Sequence, residues 1–234
     1  VLYVDTTEGF MSSERKLWRV ITTTGAVSPA ELTFTTTAAL GPPGSLGFPY
    51  PSNFTSSGST LYFTGSTPAL GAAVWKIPSA VSPAAMLVSL TQPADLVDVN
   101  GTLYFTGDDG TNGQELWRTT ATGVESLGTT FPNRLTVVNG QLFFNATDVA
   151  HGQELWHIAA DGSPAMVADA SPGTDSSTLF DMAAVGRRIY FTLSTADEGT
   201  ELWTLDSLGV PRLVEGSRVI STTGSDVSNL TALG

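Results

Sequence analysis

Five tryptophans set the period of this chain. Trp18, Trp75, Trp117, Trp156 and Trp203 stand 57, 42, 39 and 47 residues apart. Each follows an apolar–aromatic run: LYV at 2–4, LYF at 61–63, LYF at 103–105, LFF at 142–144 and IYF at 189–191. A polar turn with glycine separates run from tryptophan, as in TGDDGTNGQELW (106–117) and TDVAHGQELW (147–156). A second turn follows, as in AADGSP (159–164), and then a short apolar run such as AMVA (165–168) or RLV (212–214). One more strand-like segment precedes each aromatic run: NFTSSG (53–58), DLVDVNG (95–101), RLTVVNG (134–140), DMAAVG (181–186) and NLTALG (229–234). Each repeat thus predicts four short strands joined by tight turns. Tandem four-strand repeats of about 40–50 residues are the signature of a β-propeller. Helix is disfavoured, because Gly, Pro or Asx turns interrupt every longer stretch.

The first repeat has LYV, the Trp18 strand and an outer strand near Leu32–Phe34, but no innermost strand before them. NLTALG supplies one. The expectation is an all-β, five-bladed propeller of four-stranded antiparallel blades, closed by pairing of residues 228–233 with residues 1–5. Its blades cover 228–234 with 1–35, then 52–89, 94–128, 133–169 and 180–215. One repeat cannot bury its own apolar faces, so 1–234 reads as a single domain. The longest irregular stretch, 35–52, reads as a linker across the ring or as a loop shaping a binding face.

Net charge is −12, with no basic stripe, which argues against nucleic acid as partner. Cysteine is absent, so disulfides, thiolate metal sites and cysteine nucleophiles are excluded. No apolar run reaches membrane-span length. An acidic, cysteine-free, Thr/Gly-rich chain fits an exported bacterial protein, secreted, at the cell surface or in the periplasm.

The sharpest motif is Glu-Leu-Trp after a glycine turn: GQELWRT (113–119), GQELWHI (152–158) and GTELWTL (199–205). With LYFTGDDG upstream and Asp161-Gly162 downstream, it resembles the bacterial Glu-Leu-Trp-x-x-Asp-Gly-Thr repeat proteins. That resemblance implies a propeller-like fold and frequent export. It is strong in repeats three to five and weaker earlier, where Lys16 and Ala73 replace the glutamate; no repeat has the complete motif. Size and repeat number are also similar, at the level of fold, to small five-bladed lectins of the tachylectin type, with no shared motif.

Candidate chemistry falls into three groups. The repeated Glu115, Glu154 and Glu201 with Trp117, Trp156 and Trp203 can be read as ligand-binding blade loops, the indoles stacking on sugars. The bland alternative has the indoles packing blade on blade and each glutamate closing a turn by accepting backbone N–H groups. The acidic turns hold Asp108, Asp109, Asp148 and Asp197, oxygen donors of the type Ca²⁺ uses, though short of an EF-hand pattern. Asp and Gly also simply make turns. Aligned innermost strands bring Asn53, Asp95, Arg134, Asp181 and Asn229 to one entrance of the channel, as a self-compensating charged rim or a ligand site. Asp95, Asp98 and Asp181 are the inner-strand acids a glycoside hydrolase would need. His151 and His157, six residues apart, do not form a metal pair. Asn53, Asn100, Asn145 and Asn229 begin Asn-x-Ser/Thr sequons, which matter only in a glycosylating pathway.

These observations lead to a non-enzymatic extracellular module recognising glycans through repeated sites. The alternatives are a protein-interaction or surface-assembly scaffold and, less favoured, a glycoside hydrolase. A protein-binding module should show a broad apolar face including the Phe48–Phe54 segment.

Overall fold

Each repeat folds as the antiparallel meander that its turns dictate. The computed structural model describes residues 2–7, 15–23, 26–31, 34–35, 52–67, 70–78, 84–195, 199–205, 209–214 and 230. The first sheet is β1 (Leu2–Thr7), β2 (Arg15–Thr23) and β3 (Ala26–Glu31), paired in that order. β4 (Phe34–Thr35) adds in parallel to Ala84–Ala85 of the second sheet. That sheet contains β5 (Ser52–Ser57), β6 (Thr60–Thr67), β7 (Gly71–Ile77) and β8 (Ala84–Ser89). The third contains β9 (Thr91–Val99), β10 (Thr102–Asp108), β11 (Gln114–Thr119) and β12 (Val124–Ser126). The fourth contains β13 (Thr130–Val138), β14 (Gln141–Asp148), β15 (Gly152–Ile158) and β16 (Pro164–Ala168). The fifth contains β17 (Thr178–Val185), β18 (Arg188–Thr195), β19 (Gly199–Leu205) and β20 (Pro211–Leu213).

The chain divides into two compact units. One is Val1–Gly113 with Trp117–Glu125; the other is Gln114–Leu116 with Ser126–Gly234. Two strand expectations change. The outer strand expected near Leu32–Phe34 lies at Ala26–Glu31, and Phe34–Thr35 joins the second sheet instead. β9 and β13, expected as innermost strands, begin before the predicted Asp95 and Arg134, taking in Pro93 and Pro132. Proline is tolerated there because both strands are sheet edges, with no ladder partner on one side. Of the residues required for ring closure, 228–233, all but Leu230 lie outside the described ones.

The hairpins follow from their turn residues. Asn100-Gly101 (φ 52° and 89°) and Asn139-Gly140 (φ 52° and 74°) both have two left-handed residues, which a tight hairpin turn needs. The aromatic runs are near-continuous rather than alternating because their strands are covered on both faces. In β10 and β14 five consecutive residues are buried. Phe63, Phe105, Phe144 and Phe191 are fully buried, and each such ring contributes about 1.5–3 kcal/mol by leaving water. The first unit packs Trp75 with Phe63 and Ile77, and Trp117 with Phe105, Leu103, Leu96 and Leu90. The second packs Phe143, Leu155, Leu179 and Phe191, with Trp203 against them.

The indole N–H groups divide by sequence. Trp75 Nε1 donates to the Gly65 carbonyl (3.4 Å) and Trp117 Nε1 to that of Gly107 (3.1 Å). Ala146 and Leu193 hold the same place, ten residues before Trp156 and Trp203. There the buried Nε1 atoms have no partner among the described residues. Trp117→Phe therefore removes a satisfied bond and strands a carbonyl, an expected cost of about 2–3 kcal/mol, whereas Trp156→Phe deletes an unpaired donor and costs about 1 kcal/mol or less. Urea unfolding of the two variants measures the difference. Equal costs would show that the hydrogen bond contributes nothing.

Candidate functional site

β5, β9, β13 and β17 are each the edge strand of their sheet. An edge exposes unpaired backbone groups that invite a foreign strand. Here the edges are interrupted. Asn53 (φ 52°), Asp95 (53°) and Arg134 (56°) are left-handed, as are Gln92 (50°) and Phe131 (49°), three residues before Asp95 and Arg134. The ladder register slips in the same strands. Asn and Asp tolerate this conformation, but at Phe131 and Arg134 it costs about 1–2 kcal/mol each. Asn53, Asp95 and Arg134 are three of the rim residues aligned from sequence. Asp181, the fourth, is not left-handed; its N–H donates to Thr192 Oγ1 (3.1 Å). Asn229 lies outside the described residues.

In the first unit Thr55 Oγ1 donates to the Leu96 carbonyl (2.7 Å), tying β5 to β9. Asn53 Nδ2 donates to Thr64 Oγ1 (3.3 Å). Phe54, 42% exposed, stacks on buried Phe63 with centroids 5.6 Å apart. Asp95 reaches solvent, yet the protein around its carboxyl group desolvates it and pushes its pKa up. Asp98 accepts the Gly101 N–H through Oδ2 (3.5 Å), while its buried Oδ1 has no partner among the described residues. Burial, and secondarily the nearby Asp98 charge, raise the Tyr62 phenol; a hydrogen bond with Thr60 works the other way.

In the second unit a polar network builds the ground beneath two exposed rings. Asn145 is fully buried. Its Nδ2 donates to Asn133 Oδ1 (3.2 Å) and to the Leu179 carbonyl (3.4 Å), and its Oδ1 accepts the Leu179 N–H (3.0 Å). Asn133 Nδ2 donates to the Phe131 carbonyl (3.2 Å) and Gln153 Oε1 (3.5 Å). Arg134 Nη1 donates to the Phe180 carbonyl (3.3 Å), and its guanidinium carbon lies 5.0 Å from the centre of the Phe180 ring. Phe180 is 42% exposed and Phe131 59%.

The Glu-Leu-Trp motif has a visible structural task. Glu154 is fully buried and accepts the N–H groups of Ala170 (3.1 Å) and Ser171 (3.3 Å) and the Ser177 hydroxyl. These donors belong to the segment between β16 and β17, so the glutamate clamps one sheet's exit to the next sheet's entry. Burial pushes its pKa up despite those three donors. Glu115, also buried, accepts the Ser126 hydroxyl (2.8 Å), and Leu116 N–H donates to Thr129 Oγ1 (3.0 Å). Glu201 is buried too. Trp117 is packed into the core, leaving little ring surface for a sugar; Trp156 and Trp203 are half-buried.

The acidic turns use their carboxylates on their own backbone. Asp108 accepts the Gly110 N–H (2.6 Å) and Asp109 that of Thr111 (2.8 Å). Asp148 accepts N–H groups of Ala150 (2.6 Å) and His151 (3.0 Å) and faces His151 Nδ1 at 2.9 Å. That contact lowers the Asp148 pKa and raises that of His151. His157 lies on Phe143, with Nδ1 2.7 Å from Gln141 Nε2, and burial lowers its pKa. Asp197 lies outside the described residues. Among the described residues no three His, Cys, Asp or Glu side chains are placed to hold a metal ion. Asn145 is too buried to be a glycan acceptor.

Sequence reasoning missed Phe131 and Phe180, and met Asn145 only as the start of a sequon. The first two stand just before the strand starts drawn from the glycine turns, in TFPNR and TLFDM. Asn145 replaces the threonine that follows the aromatic run at Thr64, Thr106 and Thr192, a departure visible in the alignment of repeats.

No family model and no curated protein matches this chain. Solved structures do. An acylaminoacyl peptidase from Pyrococcus horikoshii matches with TM-score 0.51 and 13% identity, over 87% of this chain and 31% of that one. The β-propeller domain of the Trilobed protease from Pyrococcus furiosus, with an open velcro topology, matches at 0.50 and 11%, over 90% and 62%. A prolyl endopeptidase matches at 0.50 and 12%, over 91% and 34%. The chain spans less than two-thirds of the length of each. At such identities the likeness is one of fold: an all-β chain of propeller type built of mostly four-stranded antiparallel sheets. No helix among the described residues is long and apolar enough to cross a membrane.

Proposed function

We propose that this chain is a non-catalytic scaffold that binds a protein partner through the exposed side chains of its innermost strands. The observation that supports this reading is the pair of exposed phenyl rings on edge strands of the second unit, Phe131 and Phe180; the first unit separately exposes Phe54 on its edge strand β5. Aromatic rings on rigid strands give large contact area at low entropic cost. The glycan reading relied on indoles, and Trp117 is occupied in the core. The repeat resemblance and export belong to the same proposal, as does a five-bladed ring closed by its terminal strands.

One preparation screened against a displayed peptide library and a glycan array tests it. Enriched peptides that lose binding in Phe131→Ser and Phe180→Ser support the scaffold. Sugar binding retained by those variants, with no peptide enriched, overturns it. Turnover of peptide or glycoside substrates would remove the word non-catalytic.

A further inference from the structure

Arg134 stands apart from the other polar groups around it. The chain has 22 acidic and 10 basic residues, yet among the described residues no carboxylate forms an ion pair with Arg134. Its side chain is exposed but not loose. The Phe180 carbonyl takes Nη1, the Phe180 ring lies beneath the guanidinium, and a left-handed backbone fixes its Cα. The remaining N–H donors have no protein acceptor among the described residues. Meanwhile Asn133, Asn145 and Gln153 spend their amide groups on one another, on backbone and on the Thr178 hydroxyl. One planar cation with donors to spare lies over the half-bare Phe180 ring, and a second exposed phenyl, Phe131, stands three residues earlier on its strand.

We propose that Arg134, Phe131 and Phe180 form a recognition site for a peptide segment that places a carboxylate beside an apolar side chain. This rests on the scaffold reading above and names the chemistry of its partner. A guanidinium fork matches a carboxylate with two parallel hydrogen bonds. The ring beneath it keeps the fork oriented before the ligand arrives, so little ordering is left for binding. The phenyl rings offer apolar surface to the neighbouring side chain. A sugar would need several free hydroxyl partners, and the nearby amides are already engaged. The left-handed residues in β13 prevent an added strand from following the edge, so recognition falls to side chains rather than to a backbone ladder. Excess negative charge elsewhere discourages acidic peptides from binding away from this cation.

The test uses end-capped, fluorescein-labelled heptapeptides centred on Glu-Leu-Phe, with a matched set centred on Gln-Leu-Phe. Binding to the whole chain is read by fluorescence anisotropy at low and moderate salt. The acidic set is expected to bind at least about tenfold more tightly, with the preference shrinking as salt rises. Arg134→Gln should abolish the preference, and Arg134→Lys should restore it only in part, since an ammonium lacks the fork. Far-ultraviolet circular dichroism and unchanged unfolding establish that the variants are folded; Phe180→Leu, which keeps bulk but removes the ring, provides a second probe. If acid and amide peptides bind alike, or folded Arg134→Gln keeps the preference, this site is refuted while the scaffold stands. If no peptide binds and an acidic oligosaccharide does, both readings fall.

Discussion

Gly152→Ala is expected to lower unfolding stability by about 4 kcal/mol, whereas Gly113→Ala costs only about 1–2 kcal/mol. The two glycines precede the same Gln-Glu-Leu-Trp sequence, and both are left-handed, with φ of 67° and 81°. Their surroundings differ. A Cβ on Gly113 meets nothing within 4 Å. A Cβ on Gly152 would collide with the Asp175 carbonyl oxygen and lie 2.7 Å from that of Thr174. Those are backbone atoms, and they cannot swing aside as a side-chain tip can. They are also held: Gln153 N–H donates to Ser176 Oγ (3.0 Å), and Ser177 N–H donates to the Gln153 carbonyl (2.7 Å). Alanine must therefore break the clamp that Glu154 helps to close. Urea unfolding followed by tryptophan fluorescence measures both variants. Equal shifts would mean that the 174–177 segment is not held against Gly152.

That contrast marks where the sequence can be read and where it cannot. Repetition made the four-strand meander legible, because a turn residue fixes backbone conformation locally. Asn100-Gly101 is a tight hairpin wherever it sits. The Glu-Leu-Trp motif was legible as a hydrogen-bonding device, since a buried carboxylate must find donors. Its donors at Ala170 and Ser171 were not, because they come from the far side of a four-strand repeat. The alignment made by counting back from LYF picked out Asn53, Asp95 and Arg134, which share one left-handed backbone conformation. It was silent about strain, as a register slip depends on the paired strand. The exposed rings Phe131 and Phe180 were invisible for a related reason. Both precede the strand starts drawn from the glycine turns, and the register slips beside them depend on the paired strands.

Asn145→Ala is expected to cost about 3–5 kcal/mol, a large effect for removing one neutral amide. The amide does the work of a backbone rung. Its oxygen accepts the Leu179 N–H and its nitrogen serves the Leu179 carbonyl, joining edge strand β17 to β14 where no ladder runs. Alanine leaves that N–H, that carbonyl and Asn133 Oδ1 without these partners at a fully buried position. Threonine, the residue in three sister repeats, is too short to reach both groups, so Asn145→Thr should recover only part of the loss. Unfolding in urea gives the total, and hydrogen exchange at the Leu179 amide gives the local share. A cost near 1 kcal/mol for the alanine variant, the size of one ordinary hydrogen bond, would refute the rung. Leu179 immediately precedes Phe180, so releasing it also frees the ring beneath Arg134. Asn145→Ala should then weaken peptide binding under conditions where the chain is still folded, although residue 145 is buried and touches no ligand. Unchanged binding would mean that Phe180 is positioned by its own strand and owes nothing to the buried amide.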